Sequence, residues 1–282
     1  MEILMILTST LLFSLQFLFH NIFEKKYGSG LQASMTYAFY SGVYGFALML
    51  ITGGFSFHFS WFSLLLAFFN ALNGIVYTFC AGKAFDTANL SLFSMFAMLG
   101  GMALPFLYGI CTGEQFTLLK ALSFLMIAAA LAITVDFKGK SKKGATFYYA
   151  AVFILNGMAG VISAIHQDFP ALAVDSSSYM MMSKIWVILI TLGILFYNKQ
   201  PILRMDGKTM LCTVGYSAFN SIGNLLLLIA LVTLPASIQY PIVTGGVIVI
   251  STVISALRKE KLTYRDIIAS AIAFVATVLI AL

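Results

Sequence analysis

Ten long apolar runs decide what this chain can become. Hydrocarbon offers no partner to a backbone N–H or C=O, so a segment of about 20 apolar residues crosses a bilayer as a helix that satisfies its own polar groups. Such runs fall near 3–23, 31–51, 61–83, 88–111, 116–135, 145–165, 177–197, 209–232, 236–257 and 264–282. They consume nearly all of the 282 residues, which leaves no room for a separate soluble domain. Only 9% of the residues are charged, against about a quarter in a soluble domain. The expected fold class is therefore an all-α polytopic membrane protein with ten transmembrane helices. The first run lacks a basic leader and a small-residue cleavage site, so it is expected to stay as a membrane helix. Cys80, Cys111 and Cys212 lie within or at the ends of apolar runs without paired spacing and read as packing residues.

The one clearly polar connector, 136–144 with four lysines, sits at the midpoint. Sliding the second half by 146 positions superposes all five spans without a gap and brings Glu114-Gln-Phe-Thr onto Glu260-Lys-Leu-Thr. The same shift matches His20 with His166, Ala84 with Ala230, Ser91 with Ser237 and Gly100 with Gly246. An odd number of helices per copy turns the two copies upside down relative to one another, the inverted-repeat plan of many secondary transporters. Residues 1–136 and 145–282 are read as the two five-helix repeats, joined by a basic linker at 137–144.

The segment from Ala230-Leu-Val-Thr-Leu-Pro-Ala-Ser through Glu260-Lys-Leu-Thr and a last helix rich in small residues resembles the EamA-type repeat of the drug/metabolite transporter superfamily. Ala84-Phe-Asp-Thr-Ala-Asn-Leu-Ser and Glu114-Gln-Phe-Thr-Leu-Leu form a weaker copy, and together they cover nearly the whole chain. The resemblance implies a ten-helix carrier of small organic metabolites in a bacterial plasma membrane. The family's proline in the fourth helix of each repeat is displaced here. Gly100, Gly101 and Pro105, and Pro241, Gly245 and Gly246, occupy that region instead, where they can bend or thin a helix.

Orientation follows from charge. All sixteen Lys and Arg except Lys120 and Lys184 fall in the first, third, fifth, seventh and ninth connections or their edges. Basic residues in short loops stay cytoplasmic, so these connections are expected inside and both termini outside. The basic residues form no nucleic-acid-binding face.

None of the ten acids lies mid-span, whereas proton-coupled pumps usually place a carboxylate in the membrane; cation–proton exchange is therefore disfavoured. Lys184 is the only basic side chain well inside a run, and reads either as a lysine snorkelling to the interface or as a counter-charge for an anionic group. Gln16, Asn70, Asn73, Asn156, Asn220, Asn224 and Gln239 place amides where hydrocarbon would leave them unpaired. They serve as interhelical hydrogen bonds or line a wet cavity. Tyr40, Tyr44, Tyr77, Tyr216, Tyr240 and Trp186 are read as aromatic cavity walls, with an interfacial belt as the alternative. His20 and His166 end the first helices of their halves and are expected near opposite gates. Gly100, Gly101, Gly245 and Gly246 are expected as the bending points of the gating helices. Glu114 and Glu260 are read as structural acids near helix N-termini.

Taken together the expected function is a secondary or facilitative transporter working by alternating access, with amino acids as the favoured substrates. An organic-cation or drug exporter is the alternative, followed by a membrane-embedded lipid enzyme using His166 and Asp168. No enzymatic activity, cofactor, metal or nucleic-acid partner is expected. The expected partners are a small-molecule substrate and the lipid bilayer, and the expected assembly is a monomer or homodimer.

Overall fold

The computed structural model describes residues 2–113, 117–134, 145–230 and 236–281, excluding the side chains of 2, 120, 134, 228, 229, 236–241, 280 and 281. Glu114, the linker 137–144 and the side chains of Gln239 and Tyr240 thus lie outside the described residues. Ten helices follow in chain order: α1 (Glu2–Tyr27), α2 (Leu31–Thr52), α3 (Trp61–Phe85), α4 (Leu90–Cys111), α5 (Leu118–Thr134), α6 (Ala145–Asp168), α7 (Ser176–Tyr197), α8 (Gly207–Ala230), α9 (Ala236–Leu257) and α10 (Tyr264–Ala281). Among the described residues, α1 to α4, α6 and α7 are long and apolar enough to cross a membrane.

Short polar residues start several of these helices by accepting an otherwise orphaned N–H. Asn89 accepts from Leu92 N at 2.7 Å, Asp175 from Ser178 N at 3.0 Å, and Ser60 from Ser63 N at 3.4 Å. The first helix runs one turn beyond its apolar stretch, because Lys25 and Lys26 suit the negative end of a helix dipole and each finds an acid there. Gly28 then breaks the chain in the left-handed region at φ 80°.

Part of the bundle presents its large apolar residues outward. On α3 the large apolar residues Leu65, Phe69, Leu72 and Val76 form an exposed stripe, while Ser63, Ala67 and Ala71 are buried. Lipid is as apolar as leucine, so burial rewards close backbone approach instead. Some buried hydroxyls return to their own helix, as Thr10 does to the Ile6 carbonyl and Ser14 to that of Thr10, and others cross between helices, as Ser9 does to the Gly223 carbonyl.

Neighbour relations cross between the chain halves. α1 packs on α8 and α9, α6 on α3 and α4, α3 on α7, and α2 on α8, while α2–α7, α4–α9 and α5–α10 pair directly. Within the first half, α1–α2 and α3–α4 barely touch. Neither five-helix segment therefore builds a core of its own. α5 and α10 pack at the periphery through Ala130, Ala269, Ala273 and Ala276.

Candidate functional site: a cavity between an open and a closed end

The crossing of α1 to α4 with α6 to α9 leaves a cavity of about 370 Å³ at the centre of the bundle. Neither α5 nor α10 contributes a wall. Phe13, Gln16 and Phe17 come from α1, Asn70, Asn73 and Tyr77 from α3, Met98 and Gly101 from α4, and Asn156 from α6. Lys184 and Ser183 come from α7, Tyr216, Asn220 and Asn224 from α8, and Val243 and Thr244 from α9.

The asparagines are held by protein through their nitrogens. Asn73 Nδ2 donates to the Leu155 carbonyl at 2.8 Å, Asn156 Nδ2 to that of Ala97 at 2.7 Å, and Asn224 Nδ2 to that of Asn220 at 2.7 Å. Asn220 Nδ2 donates to Gln16 Oε1 at 2.8 Å, and Asn70 Nδ2 makes a weaker 3.4 Å contact with Ser183 Oγ. Each asparagine is thereby fixed in orientation with its oxygen left as an acceptor, whereas Gln16 is held through its oxygen and keeps its N–H groups as donors. Lys184 has no ion pair among the described residues. Its stem lies against α2 at Gly45, where an added Cβ would stand 2.9 Å from Lys184 Cε. The cavity therefore offers one ammonium and a set of carboxamide acceptors.

Several sequence expectations meet a different placement. Tyr40 and Tyr44 do not line the cavity: their rings stack on each other, and the Tyr44 hydroxyl points to Met210 Sδ at 2.7 Å. Trp186 also stands outside, edge-on to Phe68 at 5.1 Å. A one-residue step rotates a helix face by about 100°, and with apolar surroundings on every side the sequence does not fix that rotation. Gly100, Gly101 and Gly246 are points of close approach inside uninterrupted helices. A Cβ on Gly100 would run into the Phe153 backbone of α6, one on Gly101 would meet Asn156 Nδ2 at 2.6 Å, and one on Gly246 would meet Thr10 Cγ2 at 2.6 Å. Gly245 admits Thr277 in the same way. The α4–α6 seam also uses Gly157 and Gly160, whose spacing on one helix was the available signal.

One end of the cavity reaches the surface. Gln167 and Ser176 are lining residues there, and His166 and Tyr179 sit just inside. His166 stacks on Tyr179 at 4.1 Å and bonds Ser63 Oγ through Nε2 at 2.9 Å. Ser63 in turn accepts from Val174 N at 3.0 Å. Asp168 accepts from the Tyr108 hydroxyl at 2.7 Å, and among the described residues no hydrogen bond joins it to His166. At the rim His58 Nδ1 bonds Asp175 at 2.8 Å. Partial burial pushes the Asp175 carboxyl up, but hydrogen bonds from Ser178 and His58 outweigh it and leave the group below its usual range.

The other end, which carries the basic connections, is closed. Phe17, Tyr77 and Tyr216 form the cavity floor, and His20, Phe23, Glu24 and Tyr37 fill the space beneath. His20 stacks on Tyr37 at 4.5 Å with rings 6° apart. Around them runs an ionic belt. Glu260 accepts from Lys25 at 2.9 Å, Leu90 N at 3.0 Å and Ser255 at 3.0 Å, with Arg258 at 3.4 Å. Burial alone would raise the Glu260 carboxyl; the Leu90 N–H and Lys25 win and hold it below its ordinary range. Glu260 is structural, as expected, yet it caps the N-terminus of α4; the first turn of α10 is served by Asp266, which accepts from Thr263 N at 2.9 Å. Lys26, the Thr209 hydroxyl and the Tyr27 hydroxyl converge on Asp206 and hold it far below the carboxylate range.

The sequence reading placed Glu24 at a helix end facing a connection. The structure buries it, 3% exposed, between α1 and α3. Its signal was the i, i+4 spacing from His20, which puts both side chains on one face.

No family model matches the sequence, and no curated protein matches it. A solved structure described as "Crystal structure of protein" superposes with a TM-score of 0.61 at 15% identity, covering 96% of this chain and 95% of that chain. At that identity the likeness concerns the fold alone. The class defined by fold and cavity is an all-helical bundle with several membrane-length helices around a central, polar-lined chamber.

Proposed function

We propose that this chain is a transporter of small organic metabolites, with amino acids the favoured substrates, that works by alternating access. The carrying observation is the central chamber: Lys184, with no ion pair among the described residues, lines the same chamber as asparagines whose nitrogens each donate to protein and whose oxygens remain as acceptors. A zwitterion satisfies both, its carboxylate on Lys184 and its ammonium on the carboxamide oxygens. An organic cation would meet Lys184 with no carboxylate among the described lining residues to offset it.

The EamA resemblance and the 146-residue repeat support two inverted five-helix units. So do the neighbour relations, since exchanging each helix with the one five later turns α1–α8 into α6–α3, α4–α6 into α9–α1, and α3–α7 into α8–α2. In this reading the chamber stays fixed while the two ends open in turn. The basic end faces the cytoplasm of a bacterial cell and both termini face outward.

Counterflow tests this reading. Proteoliposomes loaded with a mixed pool of amino acids should exchange a subset of external labelled amino acids, and Lys184→Ala should abolish that exchange. Exchange of organic cations alone would transfer the assignment to the exporter reading.

A further inference from the structure

A second cavity lies at the basic end, outside the chamber. It is an open cleft of about 690 Å³ between the ends of α1, α3 and α9 and the starts of α4 and α10. Five basic and three acidic residues border it, and the acids are already engaged by protein. Glu260 holds Lys25, Arg258 and the Leu90 N–H. Asp86 accepts from the Ser29 hydroxyl, and Asp266 accepts from Asn89 Nδ2 at 3.1 Å and Thr263 N at 2.9 Å. Lys259, Lys261 and Arg265 are left over. All three are exposed, and among the described residues none forms an ion pair.

The rest of the chain adds no counter-charge there. The first turn of α4 already receives the Glu260 carboxylate. The connection 135–144, on the same side and outside the described residues, carries four lysines and one acid. The backbone also presents one of the free charges in an unusual way. Lys259 follows α9 in the left-handed region at φ 53°, its N–H donating to the Ala256 carbonyl and that of Glu260 to the Ser255 carbonyl, both at 3.0 Å. Glycine takes such a helix-ending position at the least cost; here a lysine occupies it and points its charge away from the helix end.

The cleft stands where an apolar surface begins. α1, α3 and α4, which border it, are long and apolar enough to cross a membrane. Leu257 ends α9 and Tyr264 starts α10, both largely exposed, and one turn deeper Val253 and Ile268 are exposed as well. A tyrosine at the end of a membrane helix sits at headgroup level, and basic pockets between such helices suit anionic headgroups. We propose that the cleft binds an anionic phospholipid, its phosphate among Lys259, Lys261 and Arg265 and its acyl chains along the exposed apolar residues of α9 and α10. The guanidinium of Arg265 can grip two phosphate oxygens, while the two lysines act as point charges. A soluble phosphate shares the headgroup chemistry; continuity with the apolar surface favours the lipid. The site does not depend on the transport reading.

Native mass spectrometry of the delipidated full-length protein in detergent tests this, with phosphatidylglycerol and phosphatidylcholine as the lipids. Phosphatidylglycerol should fill one saturable site that phosphatidylcholine does not. The triple variant Lys259→Gln, Lys261→Gln, Arg265→Gln should bind it about a hundredfold more weakly, since each basic residue beside anionic headgroups is worth about fivefold. The comparison variant Lys199→Gln, Arg204→Gln, Lys208→Gln removes as many charges from the same end but none from the cleft, and should keep the lipid. Equal weakening in both variants, or equal binding of phosphatidylcholine, overturns the proposal. Sodium phosphate should displace no more lipid than sodium chloride of the same ionic strength; specific displacement makes this a soluble-phosphate site and overturns the lipid assignment. Should the triple variant not fold, Lys259→Gly decides, because its backbone conformation suits glycine. It should weaken phosphatidylglycerol about fivefold, and unchanged affinity overturns the proposal. A failure of counterflow would remove the transport reading and leave this result untouched.

Discussion

The two ends of the chamber place a histidine at the same repeat position, 146 residues apart, and stack each on a tyrosine of the following helix. The surroundings then diverge. His166 bonds a neutral serine near the mouth, where solvent can reach its neighbours. His20 faces a carboxylate with no other partner, beneath the floor and inside an ionic belt. The same residue thus stands beside a buried acid at one end and borders the other through a hydrogen bond to a neutral serine. The lesson is that the partner supplied by a distant helix, not the histidine, sets the chemistry of each end.

Removing what lies between the ends has the largest effect. Lys184→Ala should abolish uptake of zwitterionic and anionic substrates with the melting temperature retained; unchanged uptake would show that the ammonium does not bind substrate. Next comes the direct comparison of the histidines. His20→Leu removes the polar group nearest the buried Glu24 and a ring stacked on Tyr37, and should destabilise by about 3 kcal/mol. His166→Leu loses one hydrogen bond to Ser63 and should cost about 1 kcal/mol. Equal losses in thermal unfolding would erase the distinction between an end built on a buried acid and one built on a neutral hydroxyl.

A smaller effect separates the two acids that cap helices at opposite ends. Glu260 is only 9% exposed and Asp175 43%, so Glu260→Gln should cost about 2 kcal/mol and Asp175→Asn much less through screening. Both carboxyls are held below their ordinary values. Their contribution is therefore fully present above the unfolded carboxylate pKa of about 4 and is lost as pH falls through the depressed folded value. Melting curves between pH 7 and pH 3 should converge for wild type and Glu260→Gln at the acid end. The smallest expected effect is at the tyrosines outside the chamber. Tyr40→Phe and Tyr44→Phe should leave exchange rates unchanged, and a loss at either would return that face of α2 to the chamber.

Much of the site was legible because burying an amide in hydrocarbon is costly wherever the helix sits. Gln16, Asn70, Asn73, Asn156, Asn220, Asn224, Lys184, Tyr77 and Tyr216 all line the chamber. Tyr40, Tyr44 and Trp186 do not, because an aromatic ring is tolerated on either face and its spacing leaves the choice open. Glu24 was obscured by its place near a chain break, where an acid ordinarily meets water.

The sequence by itself determined the ten helices to within about a turn and the concentration of positive charge on alternate connections. Each follows from a local cost, since every backbone group in lipid must be satisfied within its own segment. Only the tertiary structure decided the rotation of each helix and the partners it meets across the halves. Helix association in lipid gains little from apolar burial; it depends on where small residues let a neighbour approach, the Phe153 backbone at Gly100 and the Glu24 side chain at Gly82. That contact map turned an acid expected at a membrane edge into a buried partner for His20.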